Sequence, residues 1–253
     1  AVAVMLAAAC AVLLFGRAPG ENERPAPPGA WTSIGPFGGD IVGLARNPKA
    51  PAELYAASES YPGQIWRTVN GGGSWTRQSV VEDRPYDFAA DPKTPGKLYM
   101  ISYSSLRIST DQGKTFDSHR LPAGFGCNNG RIAVHPTNPK TILVSGDYVW
   151  DNANYKTGPA VARTPDGGTS WTVQKLTTGS EYGTVYDAVF AKSNPNYAYL
   201  CGYDHKNGVR TPRVFVSKNG GATWTGVGSS SVFSGNYAAC YAVCVDARDP
   251  KKA

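Results

Sequence analysis

The sequence predicts an all-β protein, a β-propeller in which four-stranded antiparallel blades follow one another along the chain. Three observations favour this fold class. The 253 residues include 29 glycines, 19 prolines and 11% aromatic residues, a composition typical of short strands joined by tight turns. An eight-residue motif occurs four times, and a proline-containing motif lies upstream of each copy. Four strands in each repeated unit are typical of propeller blades.

The eight-residue motif, here called the octad, has the pattern Ser/Thr-x-Asp/Asn-Gly/Gln-Gly-x-Ser/Thr-Trp/Phe. Asn-Gly and Asp-Gly supply the positive φ of hairpin turns, and the Asn or Asp side chain hydrogen-bonds to the turn backbone. The aromatic residue opens the next strand and gives each unit a large group to bury. We expect structural roles for the Asn/Asp and aromatic residues of the four octads, namely Asn70, Trp75, Asp111, Phe116, Asp166, Trp171, Asn219 and Trp224.

The proline motif organises the other half of each unit. Strand A precedes the proline turn, strand B follows it, strand C leads into the octad, and strand D begins at the octad aromatic. The motif occurs as Asn47-Pro48, Asp91-Pro92, His135-Pro136, Asn194-Pro195 and Asp249-Pro250, which places the prolines 44, 44, 59 and 55 residues apart. The chain therefore holds about four blades of an incomplete ring. Because Trp31-Thr32 repeats the Trp-Thr of three octads, we expect residues 30–34 to form an orphan D strand that completes the last blade.

The four octads resemble the Asp-box, the bacterial neuraminidase-type repeat of sialidase-like, xyloglucanase-like and sortilin-like propellers. The resemblance spans roughly residues 30 to 253 and implies the propeller fold. The same box occurs in enzymes and in binding proteins, so the resemblance alone implies no single function.

The N-terminus indicates export. Residues 1–16 are uncharged and mostly apolar, which is short for a membrane span and typical of a signal-peptide core. We divide the chain into a truncated signal peptide or uncleaved anchor (1–18), a linker (19–29) and the partial propeller (30–253). The protein is expected to be secreted, periplasmic or at the cell surface, with membrane contact only through an uncleaved N-terminal segment. The net charge is +6, and the basic residues are scattered along the sequence, which argues against a nucleic-acid-binding face.

Strand alternation separates the connections into two faces. The proline turns and octads share one face, and the B–C and D–A connections form the opposite one, here called the loop face. Its loops, among them 147–155 and 203–207, mix aromatic, carboxylate and amide groups, which suit a sugar chain or a protein surface. The candidate ligand-binding residues are Tyr61, Tyr86, Tyr148, Trp150, Tyr155, Tyr182, Tyr203 and Asp204.

Two functions stay open at this point: an exported module that binds a polysaccharide or an extracellular protein, which we favour, and a glycoside hydrolase. Hydrolysis needs two carboxyl groups across the scissile bond. The loop-face carboxylates are Asp40, Glu59, Asp83, Asp87, Asp147, Asp151, Glu181, Asp187 and Asp204, of which Asp40, Glu59, Asp87 and Asp151 are the preferred catalytic candidates.

The resemblance to xyloglucanases bears on these candidates. Residues 34–43 are similar to the opening of such propellers, and the family has its catalytic Asp in a Thr-Asp-x-Gly-Gly-x-Tyr-Arg segment just downstream. The comparable residues 58–67 keep the final aromatic-Arg pair but have no Asp in register, one glycine only, and Glu59 displaced by two positions. The Phe/Tyr-Arg-Ile-Pro motif of sialidases does not occur. The binding module is therefore favoured because all matching motifs belong to the scaffold.

No metal or cofactor is predicted, since His119, His135 and His205 lack ligand spacing. Cys240 and Cys244 are expected on one strand, roughly 13 Å apart, which is too far for a disulfide. Pairing of Cys201 with either of them, across neighbouring blades, and buried free thiols are both compatible with the sequence.

Overall fold

The structure, a computed structural model, describes residues 34–36, 39–127, 130–151, 156–177, 180–227 and 238–253, with the backbone alone for residues 150 and 151. The predicted signal peptide (1–18), the linker (19–29) and all of the predicted orphan strand except Ile34 lie outside these residues. The described residues form 17 strands, and they contain no helix that is long and apolar enough to cross a membrane.

The strands form four antiparallel sheets in chain order, which confirms the predicted all-β, blade-like architecture. Each blade has the strand order A–B–C–D, and a two-residue strand, β9, pairs with β11 of the third blade. Blade one comprises β1 (Ile41–Arg46), β2 (Leu54–Ser58), β3 (Gly63–Thr68) and β4 (Thr76–Val81). Blade two comprises β5 (Asp87–Ala90), β6 (Leu98–Ile101), β7 (Ser105–Ser109) and β8 (Asp117–Arg120).

The third and fourth blades have longer central strands than the first two. Blade three comprises β9 (Phe125–Gly126), β10 (Ile132–Val134), β11 (Ile142–Asp151), β12 (Lys156–Thr164) and β13 (Thr172–Lys175). Blade four comprises β14 (Tyr182–Phe190), β15 (Ala198–Lys206), β16 (Val209–Ser217) and β17 (Thr225–Val227).

The hydrophobic core lies between consecutive blades. Tyr55 and Ile65 of blade one pack with Leu98 and Met100 of blade two, and all four are fully buried. A second cluster joins blades two and three, and a third joins blades three and four. Burying both faces of each inner sheet between its neighbours holds the blades together and leaves the connections at their two ends to the solvent.

One face of the blades is built from the proline turns and octads in contact. In every described blade an octad backbone N–H donates to a carbonyl of the proline turn, at 2.8–2.9 Å: Gly71 to Ala52, Gln112 to Gly96, Gly167 to Lys140 and Gly220 to Asn196. The two motifs therefore share a face, as strand alternation predicts.

The structure corrects the register of the proline motif. The equivalent prolines are Pro51, Pro95, Pro139, Pro195 and Pro250. In each turn the residue two positions after the proline donates its backbone N–H to the carbonyl of the residue before the proline. Their spacings are 44, 44, 56 and 55 residues. The sequence-based alignment mixed two registers, since the first three turns contain a second proline three residues earlier. The Asp246–Lys252 turn has the same hydrogen bonds, so the fifth unit begins as the others do.

Each octad folds around its Asn or Asp side chain. In the third octad the Thr164 hydroxyl donates to Asp166 at 2.8 Å, and Asp166 also accepts the backbone N–H of Ser170 at 2.9 Å. The Thr164 hydroxyl oxygen accepts the N–H of Gly168. The other three octads repeat these bonds with their own residues. The octads thus satisfy their turn backbone locally.

The glycine at the fifth position of each octad lies against the preceding unit. A Cβ at these positions would collide with Ile34 (2.4 Å from Gly72), Ile65 (3.0 Å from Gly113), His119 (3.0 Å from Gly168) and Leu143 (2.7 Å from Gly221). The Ile34 carbonyl also accepts a hydrogen bond from the Trp75 indole N–H at 2.8 Å. Ile34 therefore contacts the first octad as residues of the preceding blade contact the other octads.

The octad carboxylates are expected to make stability depend on acid pH. Hydrogen bonds from Thr115 outweigh the slight burial of Asp111, and hydrogen bonds from Ser170 act on Asp166, so that both pKa values fall from 3.8 to about 2. A carboxyl group with a depressed pKa in the folded state stabilises that state above its unfolded pKa. This stabilisation is lost as the pH falls from about 4 towards 2.

We therefore expect the double variant Asp111→Asn/Asp166→Asn, which copies the Asn of the first and fourth octads, to lose less stability on acidification than the parent protein. The measurement is the thermal unfolding midpoint at pH 4.5 and at pH 2.5. Asp117→Asn, at an exposed position on β8, is the control. Equal losses in the parent and the double variant would contradict the prediction.

Candidate functional site

The loop face is dominated by two long hairpins. The β11–β12 pair continues past the end of the inner strand β10, and the β15–β16 pair has continuous register from Ala198↔Ser217 to Lys206↔Val209. The sequence-based assignment of 147–151 and 203–206 to loops is therefore wrong, and Tyr182 and Asp87 likewise begin strands. Asn207 and Gly208, with φ of 53° and 75°, form the tight turn that lets β15 and β16 pair to their ends.

Aromatic side chains gather on one side of the blade-four hairpin. We call Tyr182, Tyr186, Tyr203, His205 and Tyr241 the tyrosine platform. Tyr182 and His205 stack at 4.0 Å between ring centroids, and Tyr186 stacks on Tyr241 at 4.9 Å. Tyr203 lies 6.4 Å from Tyr182 and 5.7 Å from Tyr186. Tyr182 and Tyr241 are 46% and 62% exposed, so the platform presents ring surface to solvent.

Polar groups border the platform. The Arg210 guanidinium carbon lies 3.6 Å from the centroid of Tyr203, and the same side chain donates to the Tyr186 hydroxyl at 3.2 Å. His205 Nδ1 lies 2.8 Å from a carboxylate oxygen of Glu181. Burial, with a smaller contribution from Tyr186, raises the pKa of Tyr203 to about 12, so its hydroxyl stays protonated at neutral pH. The platform therefore combines ring faces with hydrogen-bond donors and acceptors.

Sequence analysis identified Tyr182 and Tyr203 but missed Tyr186, Tyr241 and Arg210. The register of β14 against β15 shifts between Val185 and Asp187, and such a bulge re-aims side chains in a way that the alternation of a sequence does not show. Tyr241 belongs to the following unit, and only the packing of that segment against blade four brings it to Tyr186. In the sequence, only the high frequency of Tyr in residues 182–203 indicated that further tyrosines belong to this site.

Several candidate carboxylates are held in ion pairs. Glu59 pairs with Arg84, and Asp83 lies 3.0 Å from the Arg107 guanidinium. Asp204, a predicted ligand-binding residue, is only 3% exposed and lies 3.4 Å from Arg213, so it is not presented to solvent. On β15 the side chain of Asp204 points to the side of the sheet opposite to that of Tyr203. On this side Asp204 pairs with Gly183, and Pro159 of blade three packs against Gly183.

Asp87 and Asp187 occupy equivalent places on the inner strands of blades two and four. Each accepts a backbone N–H from the next unit, Ile132 at 2.8 Å and Val243 at 2.9 Å respectively. Burial raises both pKa values, that of Asp87 to about 6, although the Arg131 guanidinium acts in the opposite direction. The negative charge of Asp187 adds to the rise at Asp87, so the two carboxyls belong to one electrostatic cluster around Arg131.

Asp147 is the other loop-face carboxyl with a strongly raised pKa. It lies on β11, where the hairpin leaves the blade, opposite Gly126 and Pro159. Burial raises its pKa to about 6, and its own backbone N–H opposes the shift. The charges of Asp87 and Asp147 both act to raise the pKa of the buried Cys127 thiol, which places the two carboxyls near one side chain between blades two and three.

The remaining predicted site residues are more scattered. Asp40 is exposed, and its carbonyl accepts the Glu59 N–H at 2.7 Å. Tyr61 is 72% exposed. Cationic side chains lie over two further rings, Arg84 at 5.6 Å from Tyr86 and Lys175 at 4.0 Å from Tyr148. The Trp150 and Asp151 side chains and all of Tyr155 lie outside the described residues. Within the described part of the chain no cluster of His, Cys, Asp and Glu forms a metal site.

The fold and the relatives together define the class of protein: the chain forms blades of a β-propeller. It is 23% identical over 239 residues to a xyloglucanase from Paenibacillus sp, covering 81% of this chain and 23% of that protein. A xyloglucanase from Hypocrea jecorina is 28% identical over 167 residues, covering 63% of this chain and 18% of the relative. Among solved structures, an ancestral GH74 enzyme superposes with a TM-score of 0.55 at 24% identity, over 77% of this chain and 25% of that enzyme.

No protein-family model matches the chain. The chain spans less than a quarter of the length of either curated relative. The superposition supports the propeller fold, which agrees with the resemblance to the xyloglucanase-like propellers.

Proposed function

We propose that this chain is part of a polysaccharide-directed glycoside hydrolase and that its loop face binds the glycan. The arrangement that carries the proposal is the tyrosine platform on the same face as Asp87 and Asp147, two carboxyl groups with pKa values of about 6. The relatives support a polysaccharide ligand, because both curated matches are xyloglucanases. The N-terminal export segment expected from the sequence belongs to the same proposal.

The platform suits a sugar chain for physical reasons. Tyrosine rings offer flat apolar surface for the C–H faces of a pyranose, and the tyrosine hydroxyls exchange hydrogen bonds with sugar hydroxyls. Arg210 and Glu181 add a charged donor and a charged acceptor at the border of this surface. Because the rings pack on one another and on a paired hairpin, they are held in place before the ligand binds.

The carboxyl groups of Asp147 and Asp87 suit acid–base chemistry. A general acid must be protonated near the working pH, and a pKa of about 6 leaves a substantial protonated fraction close to neutrality. We assign Asp147 as the proton donor and Asp87 as the second carboxyl group. The Asp87 carboxylate is held on both oxygens, one accepting the Ile132 N–H at 2.8 Å and the other lying 4.0 Å from the Arg131 guanidinium.

Glycan binding without hydrolysis is the second candidate function. Residues 58–67, which are comparable to the catalytic segment of the xyloglucanase family, have no Asp in register. Their nearest carboxylate, Glu59, is held in an ion pair with Arg84, which favours this second function. In this case the tyrosine platform would still be needed, whereas Asp147 would not.

Tyr203→Ala is expected to weaken polysaccharide binding about tenfold, because it removes a central ring of the platform and the stacking surface under Arg210. Affinity electrophoresis or calorimetry with xyloglucan measures the loss. Tyr197→Ala, on the turn face, is the matched control. Equal binding by the two variants would contradict the assignment of the platform, and failure of the parent protein to bind or cleave any plant polysaccharide would overturn the proposed function.

A further inference from the structure

Two cysteines from consecutive units meet beside the tyrosine platform. Cys201 lies on β15 and is buried, whereas Cys240 lies in the segment 238–245 and is partly exposed. The Cys240 backbone N–H donates to the Gly202 carbonyl at 3.1 Å, which fixes the segment against β15 at this point. The Cys201 and Cys240 thiols lie close enough for each to shift the pKa of the other, and the Cys240 thiol donates to the Ala242 carbonyl oxygen at 3.6 Å.

We propose that Cys201 and Cys240 are a modification site, at which a disulfide ties blade four to the segment 238–245. The two cysteines are neighbours in space, because the Cys240 backbone N–H is bonded to the carbonyl of Gly202, the residue after Cys201, and each thiol shifts the pKa of the other. The other two described thiols do not compete. Cys127 lies between blades two and three with its thiol directed at the Ser145 carbonyl, and Cys244 is exposed.

The oxidation is a thiol–disulfide exchange with a small-molecule disulfide such as oxidised glutathione. The Cys240 thiolate attacks one sulfur of that disulfide and expels the first glutathione as a thiolate. Cys201 then attacks the Cys240 sulfur of the mixed disulfide and expels the second glutathione, which takes up the proton of the Cys201 thiol. Two protein thiols are oxidised to one disulfide, and one glutathione disulfide is reduced to two thiols.

The local electrostatics favour Cys240 as the attacking group. A hydrogen bond with the neighbouring Cys201 thiol lowers the pKa of Cys240, although burial and the charge of Asp187 oppose the shift. The same hydrogen bond raises the pKa of Cys201, and burial adds to the rise. Cys240 is therefore the more acidic and the more accessible thiol, as the first step requires.

The disulfide would have a structural consequence for the platform. Tyr241 follows Cys240 directly and stacks on Tyr186 at 4.9 Å. A covalent bond between residues 201 and 240 restricts the unfolded chain and fixes the start of the segment that delivers Tyr241. This consequence rests on the proposed function only where glycan binding is concerned, since the bond itself depends on the thiols alone.

Peptide mapping tests the proposal. The protein is equilibrated with oxidised and reduced glutathione, unfolded, alkylated without reduction and digested with trypsin. We expect a linked pair of peptides 193–206 and 219–248, lighter by two hydrogens than the sum of the free peptides. Because the second peptide contains both Cys240 and Cys244, the variants Cys240→Ser and Cys244→Ser identify the partner. The link should persist in Cys244→Ser and disappear in Cys240→Ser, with folding of both checked by circular dichroism.

Stability provides a second readout. Reduction should lower the unfolding midpoint of the parent and of Cys244→Ser by roughly 5 °C, and should leave that of Cys240→Ser unchanged. Complete alkylation of all cysteines in the equilibrated protein, or a link that survives in folded Cys240→Ser, overturns the proposal. Neither result bears on polysaccharide binding, which Tyr203→Ala tests separately.

Discussion

Tyr99→Ala is expected to lower the free energy of unfolding by about 4 kcal/mol, the middle of the range for truncating a large buried aromatic side chain. Tyr99 is fully buried between blades two and three. Its hydroxyl donates to Asp91 at 2.8 Å and lies 3.2 Å from the Pro139 carbonyl oxygen of the next blade. The substitution leaves a cavity in the interface and a buried Asp91 without this donor, so two costs add.

Urea unfolding followed by tryptophan fluorescence measures this loss. Tyr99→Phe, which keeps the ring, should cost about 1–2 kcal/mol, because only the hydroxyl is lost. Tyr103→Ala is the matched control, since Tyr103 is 55% exposed. It should change the free energy by no more than about 0.5 kcal/mol. A loss below about 1 kcal/mol for Tyr99→Ala would contradict the interpretation of consecutive sheets as blades that share a core.

Asp147→Asn is expected to lower kcat/KM for polysaccharide hydrolysis at least about 100-fold, as removal of a general acid does. The amide keeps the size of the side chain but carries no transferable proton. Because burial raises the pKa of Asp147 to about 6, the parent activity should fall as the pH rises through about 6. The sign follows from the role, since a proton donor works only below its own pKa.

Release of reducing ends from xyloglucan across pH 4–8 measures both effects. Glu82→Gln, at an exposed position next to β4, is the control and should keep the parent activity. Asp87→Asn should also lose activity while keeping an oxygen for the Ile132 N–H, so that the fold is preserved. More than a tenth of the parent activity in Asp147→Asn would contradict its assignment as the proton donor, whereas a parent protein that binds xyloglucan without releasing reducing ends would favour the binding module.

Much of the architecture was predictable from the sequence because the octads encode it locally. Among the described residues, the hydrogen bonds that the Asn70 and Asp166 side chains accept come from residues within a few positions in the sequence, so eight consecutive residues specify the turn. Gln112 stands where the other three octads have glycine, and it adopts a φ of 69° as those glycines do. The octad therefore keeps its turn conformation without a glycine at this position. Repetition of the motif then implies repetition of the sheet.

The proline turns were harder to align because each of the first three offers two prolines. Composition marks such a segment as a turn, but only the backbone hydrogen bonds identify Pro51 and Pro95 as the partners of Pro195. The prediction of loops at the two long hairpins was wrong for a related reason. Aromatic, polar and glycine residues in 203–208 suit a loop, whereas pairing with β16 extends them into a strand.

The sequence by itself determined the repeated blade, its turn chemistry and the grouping of the B–C and D–A connections on one face, because these depend on local φ values and strand alternation. Only the tertiary structure decided which side chains meet there. The platform joins Tyr186, re-aimed by a bulge, to Tyr241 of the following unit, and the pKa of Asp147 rises through burial between blades. Such contacts depend on how separate sheets pack, and packing brings together residues that are distant in the chain.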